Sequence, residues 1–277
     1  MKQVLLLLSI TISLHAVAQK NGPRVILTKG QKIIVKTTAS QEADMGMGME
    51  MKNFTSSQNS LIVLDAADSN YILSTTLTGM KISMDMMGQN TTYDSDKKED
   101  SASEIGKAMQ NLNVPDTVSL NKYTAAVTFN KKTRVVSAEE PNPLENMFES
   151  LQNTGENVAA ETFFVIPQGK KVGDKWVDSS STKITRSLKE YVLKSVEKDI
   201  ATILITSKVE NNTQTELQGM QVTISMTTKS TGEIKVDSKT SLVNRREIKA
   251  EITGNLDMMG QSVPVTGKST TTTEYQY

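Results

Sequence analysis

Hydrophobic and polar residues alternate with period two along most of this chain, the pattern of strands that bury one face. In "MQVTISMTT" Met220, Val222, Ile224 and Met226 share one side, and Gln221, Thr223, Ser225 and Thr227 take the other. The same alternation predicts strands over 31–38, 60–65, 71–77, 189–196, 200–209, 232–237 and 246–258, and the apolar run "TFFVIP" predicts one over 162–167. "KYTAAVTFN" reads as a strand on Tyr123, Ala125, Val127 and Phe129, with "NKK" as its turn and "TRVVS" returning. So many strands at short spacing, polar on the outside, predict a mainly β fold: one large curved antiparallel sheet or an incomplete β-barrel.

Two segments leave that rhythm and predict short amphipathic helices packed on the sheet. In "PNPLENMFESLQNTG" Asn142 caps, Pro143 fits the first turn, and Leu144, Met147, Phe148 and Leu151 form a stripe that Gly155 ends. In "SASEIGKAMQNLN" Ser101 and Glu104 have capping-box spacing, and Ile105, Ala108, Met109 and Leu112 repeat the stripe. Neither is long enough to hold without tertiary support.

"MDMMGQ" at 84–89 returns as "LDMMGQ" at 256–261. Both copies read as strands running into a glycine turn, with Met80, Ile82, Met84 and Met86 on one face of the first and Ile248, Ala250, Ile252, Leu256 and Met258 on one face of the second. Pro264, in the return segment, belongs on an edge or at a bulge because it cannot donate to a ladder. The repeat suggests a single β-rich domain over 19–277 built from two similar half-sheets, 24–137 and 160–277.

The N-terminus changes the setting. Lys2, the apolar stretch 4–14 and the small residues Ala16 and Ala18 read as a signal peptide over 1–18, so the protein is expected to be exported, to the periplasm or beyond. No other stretch approaches the roughly 20 apolar residues of a membrane span. Loss of that segment removes Lys2 and the only histidine, His15, leaving 30 of the 31 basic residues against 31 acidic ones. A near-neutral chain offers no basic surface for nucleic acid. With no cysteine, stability has to come from the core.

The same deletions narrow the chemistry. Without His or Cys the usual serine and cysteine nucleophile systems and common zinc sites are excluded, and no P-loop, G-x-S-x-G or dinucleotide fingerprint is present. The chain is therefore expected not to be an enzyme and to need no cofactor. What stands out is methionine: of 14 beyond the initiator, 12 fall at 45–51, 80–87, 220–226 and 258–259. Methionine fills irregular apolar space and adapts to flexible ligands. Met45, Met47, Met49, Met84, Met86, Met220, Met226 and Met258, with Trp176, are the candidate lining of a ligand-holding concavity. Thioether sulfur also suits Cu(I), the chemistry of a soft-metal reading.

"LTKGQKIIVKTTAS", "FFVIPQGKKVGDKW", "YVLKSVEKDIATI" and "STGEIKVDSKTSLV" together resemble an uncharacterised family of exported Gram-negative bacterial proteins, a domain of unknown function. That resemblance implies one curved antiparallel sheet and brings no active site. The arrangement is also similar, at the level of fold, to periplasmic lipoprotein and lipid carriers whose half-barrels wrap one or two helices. The expected function is a non-enzymatic exported module holding a hydrophobic molecule, lipid-like, or a peptide. A structural envelope protein with a filled core is the alternative, and soft-metal binding the third reading.

Overall fold

The computed structural model describes residues 22–44, 46, 48–109, 115–131, 154–217, 220–258 and 261–277. Twelve strands form one sheet: β1 (Lys32–Asp44), β2 (Glu50–Ala66), β3 (Asn70–Met86), β4 (Gln89–Asp94), β5 (Asp116–Asn121), β6 (Val127–Lys131), β7 (Lys175–Ser181), β8 (Thr185–Glu197), β9 (Ile200–Leu217), β10 (Met220–Asp237), β11 (Val243–Met258) and β12 (Gln261–Gln276). Every pairing is antiparallel. The order is β6-β5-β3-β2-β1-β12-β11-β10-β9-β8-β7, with β4 beside the far half of β3. The first and last strands meet in the middle, and among the described residues β6 and β7 are the edges, so the sheet does not close into a barrel.

Among the described residues two α-helices accompany it, α1 (Glu104–Met109), which a 3-10 turn over Asp100–Ala102 precedes, and α2 (Thr154–Thr162). α2 packs on β2, β3, β5 and β6, while its Glu161 reaches the other half of the sheet. The Glu161 carboxylate lies 3.3 Å from Arg246 of β11 and its carbonyl accepts the Tyr275 hydroxyl of β12 at 3.0 Å. One helix held by both halves requires the sheet to curl around it. Burial pushes the Tyr275 phenol far above its ordinary pKa, with the Glu161 charge adding to it.

The residues before β1 close the same end. Val25 N donates to Lys122 O, Ile26 N to Thr240 O and Leu27 N to the Tyr71 hydroxyl, tying the β5–β6 turn to the β10–β11 turn. Ile33, Val35, Leu61, Leu73, Val118, Leu120, Ile203, Ile234 and Val236 pack there with Val158, Ala159 and Phe163 into one buried cluster. β9 and β10 have 18 residues each, about 60 Å at roughly 3.3 Å per residue. The core covers only one end of that length.

The long alternating segments fold as expected, and adjoining ones merge: 220–227 and 232–237 are both β10, 60–65 is the end of β2, and 71–77 and 80–86 are both β3. Gly88 does close a two-residue turn: Met86 pairs with Gln89, and Met87 (φ 56°) and Gly88 (φ 79°) both adopt the left-handed conformation of a type I′ turn. Met87 carries a side chain in a conformation that disfavours one. Met87→Asn is expected to raise stability by about 0.5–1 kcal/mol, read as an upward shift of the thermal midpoint. Pro264 lies beyond β1, whose pairing ends at Asp44 opposite Thr266, so among the described residues β12 has a paired strand on one side only at that point.

Four expectations are corrected. "TFFVIP" is not a strand: Thr162 ends α2, with its hydroxyl donating to Val158 O, and Phe163 makes one isolated bridge to Leu242. A short apolar run without alternation does not distinguish a strand from a buried crossing segment. In "KYTAAVTFN" residues 122–124 turn, because the Asn121 carboxamide accepts the backbone N–H groups of Tyr123 and Thr124 and arrests β5. Gly155 does not stop a helix but lies in the first turn of α2; the rest of the helix expected around 142–151 lies outside the described residues, as does 132–138. Ser103, not Ser101, caps α1, its hydroxyl accepting Gly106 N at 3.0 Å, while Ser101 donates to Lys98 O. The segment 1–18 is likewise outside the described residues.

Candidate functional site

Cross-strand register assigns every strand position to one of two faces. The face toward α2 carries Ile33 and Val35 of β1, Leu61 of β2, Ile203 of β9 and Tyr275 of β12 in the core. Followed away from the core, the next rungs on this face are hydroxyl-rich: Thr37, Ser57, Thr271, Ser269, Ser230 and Ser207. Thr37 and Thr273 hydroxyls lie 3.3 Å apart, and those of Ser207 and Ser230 3.0 Å. Beyond this belt apolar residues return, Ile82, Val222, Ile224, Ile252, Leu256, Val263 and Val265, among the polar Gln41, Asn53, Thr55, Asn211 and Thr213. Val222, Val263, Val265 and Ile82 are buried yet belong to no part of the core cluster.

The methionines sit at this far end. Met51 pairs with Met86 and Asn53 with Met84 across β2 and β3, and Met226 pairs with Gly254 across β10 and β11. Met84 and Met226 are half-buried and Met86 is 45% exposed. Met220 is in register with Leu217 and Met258 with Val222; the side chains of both fall outside the description, as do Met45 and Met47 altogether. Met49, half-buried, lies in the β1–β2 turn, whose Gly46 sits so close to β12 that a Cβ there would lie 2.8 Å from Val263 Cγ1. That turn rests on the apolar band. Register thus brings Met84, Met86 and Met226 to one face, at the opposite end of the strands from the core.

Trp176 lies elsewhere. It is on the edge strand β7, in register with Tyr191 of β8, and the two rings stack with centroids 5.5 Å apart and 20° between planes. Phe164, just past α2, meets Tyr191 edge-on at 5.2 Å. Burial raises the Tyr191 phenol pKa, and the nearby Asp178 carboxylate adds to the shift. These rings wall a cavity of about 480 Å³ between α2 and the inner face of β7 to β11, with Lys189, Arg246, Asp178 and Glu161 also lining it. Composition and motif spacing do not reveal this cavity. The signal that could have found it is parity: Lys189 shares its face with Tyr191 and Leu193, and Arg246 with Ile248 and Ala250, positions where an alternating strand is otherwise apolar. Among the described residues no group of three or more Asp or Glu side chains is placed to hold a metal ion, and no helix is long and apolar enough to cross a membrane.

The sequence profile of a family of unknown function, DUF6263, matches residues 68–243. No curated protein matches the chain. Among solved structures it is similar to lipovitellin, in a study of lipid–protein interactions, with a TM-score of 0.50 and 7% identity over 91% of this chain and 26% of that one. The chain therefore spans about a quarter of that protein's length, and at this identity the likeness shows the fold alone. An outer membrane channel from Pseudomonas putida F1 matches 91% of this chain and 97% of its own at 8% identity, but with a TM-score of 0.23, which carries no argument.

Proposed function

The chain belongs to the DUF6263 family, and since that family has no known function we propose from the geometry that it is an exported, non-enzymatic binding module holding a hydrophobic, lipid-like ligand against the inner face of its sheet. The observation that supports the reading is the apolar band beyond the hydroxyl belt. Beside the buried Val222, Val263 and Val265, the half-buried Ile224, Ile252 and Leu256, with Met84 and Met226, continue a hydrophobic face past the point where α2 and Phe163 supply a second layer. Apolar surface of this kind is stabilised by removal from water, at roughly 25 cal/mol per Å². Methionine at its margin repacks around chains of differing shape. The lipovitellin structure, by its own description a study of lipid–protein interactions, has a similar sheet; that agreement is one of fold. The export reading rests on residues 1–18.

The test is native mass spectrometry of the mature protein taken from its host's envelope fraction, set against the denatured mass. Extra mass that disappears on denaturation is expected, of the size of a lipid. Met84→Lys combined with Met226→Lys places two charges in the band and is expected to abolish that extra mass while leaving the far-ultraviolet circular dichroism unchanged. A bare polypeptide mass for the wild type, or full loading of the double variant, overturns the proposal. The bare mass would favour a structural protein, and an added mass equal to copper a soft-metal site.

A further inference from the structure

We infer that the cavity beneath α2 seats the anionic head of an amphiphile, with Lys189 as the group that meets it. The inference rests on the ligand-carrying reading above and names the chemistry of one end of that ligand. Of the inner-face positions of β1–β5 and β7–β12 among the described residues, only Asp116, Asp178, Lys189 and Arg246 are charged. All but Asp116 line this one cavity. Apart from the buried Asp116, the charges of this face gather here.

The four charged groups of the cavity are not equivalent. Arg246 is 19% exposed and is neutralised by Glu161 of α2 at 3.3 Å. Lys189 is half-buried and has no ion-pair partner within 4 Å among the described residues. Its cross-strand neighbour Asp178 lies on the edge strand β7 and is exposed to solvent, so water screens its charge more than that of the lysine. A cation withdrawn from water without a partner is unfavourable, and an arriving carboxylate or phosphate relieves that cost. Trp176, Tyr191 and Phe164 supply the apolar wall. On the rung of Lys189 the inner face carries the Ser207 and Ser230 hydroxyls; the next rung carries Val209 and Ile252 beside Ser187 and Thr228, and the one after it Met226 beside Thr185 and Asn211. Lys189 with its hydroxyl neighbours and the first apolar residues of the far end thus lie on successive rungs of the same strands, over about 14 Å.

The decisive experiment is equilibrium binding to the full mature chain of three probes with the same tail, dodecanoate, dodecyl phosphate and dodecanol, below their aggregation limits. The readout is the fluorescence of Trp176, the only tryptophan. The two anions are expected to bind about tenfold more tightly than the alcohol, the scale of a hydrogen bond to a charged group. Lys189→Met should erase that difference by weakening the anions and leaving dodecanol unchanged. Asp178→Asn should strengthen both anions. The ratio of carboxylate to phosphate binding identifies the head group preferred. If anions and alcohol bind alike, or Lys189→Met weakens all three equally, the head-group assignment falls while the ligand-carrying reading stands. If none of the probes binds, both fall.

Discussion

Leu73→Ala is expected to cost roughly 3–4 kcal/mol and to lower the thermal midpoint by about 6–15 °C, whereas Met84→Ala, farther along the same strand, should cost under about 1 kcal/mol. Leu73 is fully buried and pairs with Val63 on one side and Val118 on the other, inside the cluster that α2 and the 25–27 segment close. Truncating it leaves a cavity that neighbours in two strands cannot fill without moving. Met84 lies past the hydroxyl belt, is half-buried, and pairs with Asn53 and Thr91. Its loss removes contact area and creates little enclosed void. Thermal unfolding followed by circular dichroism measures both. Equal costs would show that the strands are stabilised along their whole length by one core, and would remove the ground for treating the far end as a ligand surface.

Gly232→Val is expected to destabilise by about 3 kcal/mol or more, although valine is the better strand former. Gly232 sits in the middle of β10, opposite Ile248 of β11. A Cβ there would lie 2.2 Å from the Glu247 carbonyl oxygen, 2.5 Å from Ile248 Cδ1 and 3.0 Å from Ile248 Cα. The Ile248 methyl can swing away, but the carbonyl belongs to the backbone and yields only if β10 parts from β11. Gly79→Ala is the control. Its Cβ would meet only Gln58 Cβ and Ser95 Oγ, both at 3.8 Å, and lowering the entropy of the unfolded chain should leave stability unchanged or raise it by about 0.4–1 kcal/mol. Denaturant midpoints for the pair give the comparison. A neutral Gly232→Val would mean that the two strands are farther apart at this rung than the geometry states.

The fold class was legible because alternation is a local property. The parity of Met80, Ile82, Met84 and Met86, or of Ile248, Ala250, Ile252 and Leu256, follows from the backbone of a strand alone, and the cross-strand register returns the same faces. Where a neighbouring group competes for the backbone, parity failed. The Asn121 side chain turns residues 122–124 out of the strand, and the apolar 163–167 run crosses the core end instead of joining the ladder. The glycine at 155 carried a stop signal in the sequence, yet it stands in the first turn of α2, a helix whose place is set by Tyr275, Arg246 and the strands it touches.

The candidate site divides along the same line. That methionines share faces with other apolar residues is written in the spacing of the chain. That Met51 meets Met86, and that Met84 and Met226 belong to one face at the end of the sheet away from the core, depends on register and on β1 pairing with β12, contacts between residues more than two hundred positions apart. Trp176 was visible as a lone tryptophan after a turn, but its stack on Tyr191 comes from β7 pairing with β8 and its meeting with Phe164 from the crossing segment. Lys189 and Arg246 lie 57 residues apart and reach one cavity because three strand-to-strand pairings carry β8 to β11. Sequence alone determined strand content and the sidedness of each strand, since these need no more than a residue's own neighbours. Only the tertiary structure decided which sides face each other, where the second layer ends and which charges meet in one cavity, because each of those is a contact that local periodicity does not encode.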